Sequence, residues 1–262
     1  MATAVVTGAG RGIGREIARM LAGRGLDVLV TDVNEQAARE TADQLGGSAW
    51  AMAQDVRDPD SHRTVAAAAA GRGPIGVWVN NAGVLRTEKS WEHSDDDVRM
   101  LVEVNLLGVL WGSRAAVEAM RNGGGDLINM ASMSAFGAVP GLAVYGATKH
   151  AVRAFTESLQ GDLDDAGIQI RTHAICPDGV DTGMVRERQS DKDAAIIFSA
   201  PRLMQPEEIA QKVGAVIGRR KPLVAIPASR MVLTRTMALF PGLSLRLLPL
   251  FKKAGEKKRA KA

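Results

Sequence analysis

The stretch DLINMASMSAFGAVPGLAVYGATKHA, residues 126–151, is where the chain is most informative. Its first part, 127–131, is a short apolar run of the kind that forms a buried strand. A turn follows at Ser132, then a loop with glycine and proline. Beyond the loop the pattern becomes helical and carries Tyr145 and Lys149. Residues four apart share a helix face, one turn from each other. A free tyrosine titrates near ~10, too high for a base at neutral pH. A neighbouring ammonium stabilises the phenolate and lowers that value, so the pair can serve as general acid and base. Ser132, at the strand end, can hydrogen-bond the same reacting oxygen. The bland alternative is a surface helix with an incidental Tyr and Lys, and their spacing alone does not choose between the two.

The same strand-then-helix rhythm extends in both directions. Apolar runs predict strands at 2–7, 27–31, 49–53, 75–79, 127–131, 169–174 and 223–226. Amphipathic segments predict helices at 13–24, 35–45, 59–72, 96–121, 144–166 and 207–219, the fourth broken near Asn105. Strands with little polar alternation, each followed by a helix, indicate a parallel sheet covered on both faces. Right-handed crossovers then give an α/β, Rossmann-like, doubly wound sheet of about seven strands in one domain, 1–229. The segment NGGG at 122–125 reads as a turn, and no linker or internal repeat divides the domain.

Composition agrees with one sizeable α/β unit. Apolar residues make up 46% of the 262, enough for a full core. The single Cys176 excludes an internal disulfide and suits a reducing compartment, and the chain opens at once on a strand, without a signal peptide; both point to the cytoplasm. The net charge of +4 is uneven: residues from Lys252 onward carry six Lys/Arg against one Glu, leaving the body 27 basic and 28 acidic residues. The body therefore offers no case for a nucleic-acid surface.

The sequence TGAGRGIG at 7–14 sits between the first strand and the first helix. Gly8, Gly12 and Gly14 allow a tight turn and a close approach to a pyrophosphate, and the helix N-terminus offers free N–H groups to the anion. Asp32 ends the second strand, where a carboxylate can accept hydrogen bonds from ribose hydroxyls and repel a 2′-phosphate. That favours NAD. Arg11, in the turn, could contact a 2′-phosphate, so NADP stays as the minority reading. Asp55 either contacts a cofactor with Val56 or caps the helix near Pro59. Asn80–Gly83 (NNAG) suits a tight bend after the fourth strand. Asn105 lies in an apolar run and needs partners, whether as a satisfied core residue or as a functional one.

Taken together, TGxxxGIG including Ile13, NNAG, Ser132 and YGATK resemble the short-chain dehydrogenase/reductase family over roughly residues 1–226. The resemblance implies a catalytic tetrad of Asn105, Ser132, Tyr145 and Lys149. Tyr145 would exchange the hydroxyl proton and Ser132 would orient the oxygen. Lys149 would lower the Tyr145 pKa and contact the nicotinamide ribose. Asn105 would bend its helix and hold a water linking the lysine to solvent. It also implies that Asp55-Val56 contacts adenine and that Asn81, Ala82 and Gly83 border the cofactor. Pro177, Gly179, Val180 and Thr182 match the family's Pro-Gly-x-Val-x-Thr segment on the carboxamide and pyrophosphate side. Asp178 replaces that segment's usual first glycine. Asp tolerates positive φ better than most residues, so the turn is expected to survive, with a polar group near the substrate.

Cys176 reads as core, because no base adjoins it and its strand end is apolar. The four histidines have no metal-ligand spacing. Residues 184–200 break the strand-helix rhythm, and in the resembled family this region is a mobile lid. Its apolar half, with Ala135, Phe136, Val139, Leu142 and Met184, suggests an apolar pocket. From 231 to 251 the chain is strongly apolar but interrupted by Arg235, Arg246, Pro241 and Pro249, and a basic end follows. This tail, 230–262, reads as two short amphipathic helices rather than a membrane span. Either they pack over the cleft or a partner subunit, or they attach peripherally to a membrane.

The expectation is an oxidoreductase moving a hydride between NAD(H) and an apolar secondary alcohol or ketone. The family implies a homodimer or homotetramer. Alternatives are an NADPH-dependent ketone reductase, or a non-catalytic nucleotide-binding or membrane-recruited relative of the same fold.

Overall fold

Successive residues of a strand point to opposite faces, so the run TAVVT buries both of its sides. In the computed structural model, which describes residues 2–200 and 202–259, this run is the first strand. The elements follow as β1 (Thr3–Thr7), α1 (Gly12–Ala22), β2 (Asp27–Asp32), α2 (Glu35–Leu45), β3 (Trp50–Ala53) and α3 (Pro59–Ala70). Next come β4 (Ile75–Asn80), α4 (Asp95–Val102), α5 (Gly108–Met120), β5 (Gly125–Met130) and α6 (Ala143–Asp165). The chain continues through β6 (Ile170–Pro177), α7 (Gly183–Arg186), α8 (Pro206–Gly214) and β7 (Leu223–Ile226). It closes with α9 (Ala228–Leu239) and α10 (Pro241–Arg259).

The seven strands form one sheet in the order β3-β2-β1-β4-β5-β6-β7, and every neighbouring pair is parallel. On one face, Ala4, Val6, Val28 and Val30 pack with Ile17 and Leu21 of α1 and Ile209 of α8. On the other, Val5, Leu29, Trp78 and Leu127 pack with Val65, Met120 and Leu163 from α3, α5 and α6. Each fully buried Leu or Ile here contributes roughly 1.5–3 kcal/mol. The strand order reverses between β1 and β4, and in open α/β sheets the crevice outside the strands' carboxyl ends at such a point holds the ligand.

The expected break near Asn105 takes the form of a π-turn, Glu103–Leu107, which separates α4 from α5. A π-turn widens the backbone ring by one residue and lets the helical course continue. One expectation needs correction: Pro249 does not break the tail, since α10 runs through it. Proline removes one N–H from the ladder, which kinks or weakens a helix without always ending it.

At the amino end of the sheet a buried carboxylate ties three segments together. Asp126, on β5, accepts from Arg171 Nε and Nη2 on β6 at 3.0 and 2.8 Å and from the Gly218 N–H after α8 at 3.0 Å. A ring nitrogen of buried His173 lies 2.9 Å from the same carboxylate. Burial alone would raise the Asp126 pKa, but the bonds from His173, Arg171 and Gly218 outweigh it and hold the group at about 2.

Candidate active site

One cleft of about 590 Å³ opens at the carboxyl ends of the strands. The glycine turn forms its first wall. Gly8 sits at φ 61°, and a Cβ there would fall 2.6 Å from the Ala82 Cα, so only glycine lets the turn meet the NNAG segment. Asn81 fastens that meeting: its Nδ2 donates to the carbonyls of Thr7 and Gly8 at 3.0 and 2.9 Å. Helix α1 begins at Gly12 with no side-chain cap, which leaves its first N–H groups facing the cleft. Ile13 lines the same wall, whereas Gly14 does not. A Cβ on Gly14 would lie 2.4 Å from the Gly8 carbonyl, so its role is to pack the helix against the turn.

Asp32 lines the cleft and accepts from the Gly10 N–H at 3.0 Å and the Asn34 N–H at 3.0 Å. Arg11 also lines it, but its guanidinium is largely exposed and faces Glu187 at 3.6 Å. Asp55 and Val56 lie on the same side. Asp55 does not cap α3; Asp58 does, accepting from the Asp60 N–H. The Asp55 carboxylate is instead held by Arg57, with a closest approach of 2.6 Å, and this bond keeps its pKa below the usual value. Arg57 lines the cleft as well and had no separate signal in the sequence.

The four residues of the expected tetrad come from three different segments and all line the cleft. Ser132 follows β5 directly, Tyr145 and Lys149 share one face of α6, and Asn105 sits in the π-turn. Asn105 is fully buried, and its side chain both accepts from the Val84 N–H at 2.8 Å and donates to the Val84 carbonyl at 2.9 Å. It thus braces the loop after β4. A Cβ on Gly83 would sit 3.1 Å from Asn105 Oδ1 and 3.8 Å from Lys149 Nζ, so that glycine keeps the two polar groups close.

Lys149 is buried, and burial draws its pKa down to about 8. Its ammonium lies 5.7 Å from the centre of the Tyr145 ring and donates to the Met130 carbonyl at 2.9 Å. The expected lowering of the Tyr145 pKa is not what the geometry produces. Burial raises the phenol, the hydrogen bond with Ser132 opposes this more weakly, and the lysine is turned to a carbonyl.

Pro177 ends β6, and Gly179, Val180 and Thr182 follow it into the same cleft. The expected reason for tolerating Asp178 is corrected: among the described residues no non-glycine has positive φ, so the backbone never needed a glycine there. The carboxylate has another partner, Arg230 of α9, whose Nε donates to it at 2.8 Å. Cys176 is fully buried and its thiol is pushed up to about 12 by burial, as suits a core residue.

Val139, Leu142 and Met184 line the pocket as expected. Ala135 and Phe136 do not; both are buried, and Phe136 packs with Met133 and Val152 under the loop. Besides Arg57, the tail supplies residues the sequence reading did not name. Arg230, Leu233, Thr234 and Met237 of α9 and Leu248 and Phe251 of α10 all line the cleft. Of the two readings of the tail, packing over the cleft is the one its inner side chains follow. The last three residues of the basic end, 260–262, lie outside the described residues.

The family model described as short chain dehydrogenase matches residues 2–193. The 3-beta-hydroxysteroid dehydrogenase of Comamonas testosteroni is 34% identical, across 80% of this chain and 86% of that protein. The cyclohexanol dehydrogenase of Acinetobacter sp. (strain SE19) is 33% identical, across 82% and 86%. The probable oxidoreductase EphD of Mycobacterium tuberculosis is 31% identical across 93% of this chain, which spans only 43% of that longer protein. A crystal structure of a short chain dehydrogenase/reductase from Burkholderia phymatum in complex with NAD superposes with a TM-score of 0.85 at 27% identity, covering 92% of this chain and 94% of that one. With the fold, the glycine turn and the Ser-Tyr-Lys cleft already assembled from the residues, these matches mean that the chain belongs to the short-chain dehydrogenase family of oxidoreductases.

Proposed function

We propose that the protein is an NAD-preferring dehydrogenase or reductase that interconverts a secondary alcohol and a ketone. The observation that carries this reading is the convergence of Ser132, Tyr145, Lys149 and Asn105 on one cleft with the glycine turn and Asp32. The residues fit a dinucleotide. The glycine turn is a cradle that a Cβ at Gly8 would fill, and the uncapped end of α1 favours an anion. Asp32 would accept from the adenosine ribose hydroxyls, Asp55 and Val56 would border the adenine, and Val180 and Thr182 would hold the other end. The nicotinamide ring supplies the chemistry of taking up or giving back a hydride.

The protein's own groups manage the proton. Tyr145 is the acid or base for the substrate oxygen, and burial keeps it in the phenol form at neutral pH, ready to donate to a carbonyl. Ser132 hydrogen-bonds the same oxygen and orients it. Lys149 is mostly protonated at pH 7 and places a positive charge behind the phenol. Asn105 holds the Val84 loop and so keeps the floor of the site in place. The names of the hydroxysteroid and cyclohexanol relatives support an alicyclic substrate, and the apolar lining suits one.

Arg11 is engaged with Glu187, whereas the Asp32 carboxylate stands at the strand end, which supports NAD over NADP. Titration with NADH and with NADPH, followed by nicotinamide fluorescence, tests this. NADH should bind at least tenfold more tightly, and alicyclic secondary alcohols should reduce NAD. Tighter binding of NADPH would overturn the Asp32 argument, and binding of neither would overturn the enzyme reading.

A further inference from the structure

The residues that close the far end of the cleft come from α9 and α10, the part of the chain beyond the matched 2–193. Several contacts fasten these helices to the body. Arg230 Nε donates to Asp178 at 2.8 Å, and its Nη2 donates to Ser199 Oγ at 3.1 Å. Arg235 lies over the Phe136 ring at 5.3 Å. Lys252 pairs with Asp193 at 3.2 Å. Lys258 donates to the carbonyls of Ser199 and Ala200 at 3.1 and 2.6 Å, covering acceptors left open where the 3-10 segment Lys192–Ser199 ends. Between those lysines, Gly255 touches the backbone of that segment: a Cβ there would fall 1.8 Å from the Ala195 carbonyl. The segment itself turns Ile196 and Ile197 into the cleft.

Beside Arg230 and Thr234, the tail's contribution to the lining is apolar: Leu233, Met237, Leu248 and Phe251 share the cleft with Val139 and Leu142. The charged pair at this end, Arg230 with Asp178, is self-neutralised. A substrate carboxylate would have to compete with Asp178 for the guanidinium, so the site gives an anionic group little to bind. Bulky apolar surface, in contrast, can be enclosed from both sides.

We propose that α9 and α10 form the substrate-selecting wall of the site, clasped to the Lys192–Ser199 segment through Gly255 and Lys258, and that the wall commits the enzyme to neutral, bulky, apolar secondary alcohols and ketones. Phe251 and Met237 are its substrate-contacting residues, and Gly255 is a positioning residue. This rests on reading the cleft as an alcohol/ketone site, so the test uses binding as well as turnover. The full chain, saturated with NADH, is titrated calorimetrically with cyclohexanol and with a fused four-ring secondary alcohol, since alcohol and NADH together do not react.

The four-ring alcohol should bind more tightly than cyclohexanol. Phe251→Ala and Met237→Ala should each weaken the four-ring alcohol about tenfold and leave cyclohexanol within twofold. Gly255→Ala should weaken the four-ring alcohol as well and raise hydrogen exchange across 192–200. Leu239→Ala, on the outer side at 75% exposure, should change neither. If the four-ring alcohol does not bind, or if the wall variants change both alcohols alike or not at all, the proposal is wrong. If binding follows the pattern but neither alcohol is turned over with NAD, the wall stands and the alcohol dehydrogenase reading fails. Circular dichroism of each variant separates a loosened clasp from a failure to fold.

Discussion

The Asp126 cluster allows a quantitative prediction about what holds the catalytic scaffold together. The substitution is Asp126→Asn, which keeps the volume and removes the charge. The folded pKa of about 2 lies below the ordinary aspartate value of 3.8. The gap is worth roughly 2 kcal/mol at about 1.4 kcal/mol per pKa unit. Because the folded pKa is depressed, this stability is present above the unfolded value near 4 and is lost as pH falls through 2. About half of it should be gone by roughly pH 3. At pH 7 the variant should therefore be about 2 kcal/mol less stable by urea denaturation, or roughly 4–8 °C lower in Tm for a chain of this size. The difference should narrow steadily between pH 5 and pH 3. NADH affinity at 25 °C should not change, because the cluster is at the opposite end of β5 from Ser132. A loss below about 0.5 kcal/mol at pH 7, or a gap that does not shrink on acidification, would refute the reasoning: the bonds from Arg171, His173 and Gly218 would then be offset by the cost of burying the carboxylate.

Tyr145→Phe removes only the hydroxyl; turnover should fall by about 10²–10⁴, with NADH affinity unchanged by fluorescence titration. Lys149→Met should raise stability while abolishing turnover. The fold lowers the lysine pKa to about 8, so holding it charged below that pH costs roughly 3–4 kcal/mol, a cost relieved as pH rises from 8 toward the unfolded value near 10.5. Thermal melts of the two proteins at pH 7 and pH 10 check this, with the variant's advantage expected to shrink at the higher pH.

Much of the site could be read from local pattern. A glycine turn after a strand, a carboxylate at the next strand end and YxxxK on a helix face each follow from short-range backbone geometry. Asp32, Ser132, Tyr145 and Lys149 accordingly line the cleft where they were expected. Arg57 was not legible, because nothing in the local pattern marks a guanidinium that turns back onto the carboxylate two residues earlier. Ala135 and Phe136 were misplaced because an apolar residue in a loop looks the same whether it lines a pocket or packs beneath it.

The parallel sheet, its helices and the order of the motifs were all legible along the chain, because they depend on periodicities of a few residues. What depends on distant partners came from the folded chain alone. Folding turned the Lys149 ammonium toward the Met130 carbonyl, so that burial rather than the cation governs Tyr145. It gave Asp178 a partner in Arg230, 52 residues away. It also laid an apolar tail, which composition alone left between a cleft wall and a membrane contact, against the open end of the site. Pairings across such separations leave no periodic trace in the chain, since they depend on where the sheet delivers each element.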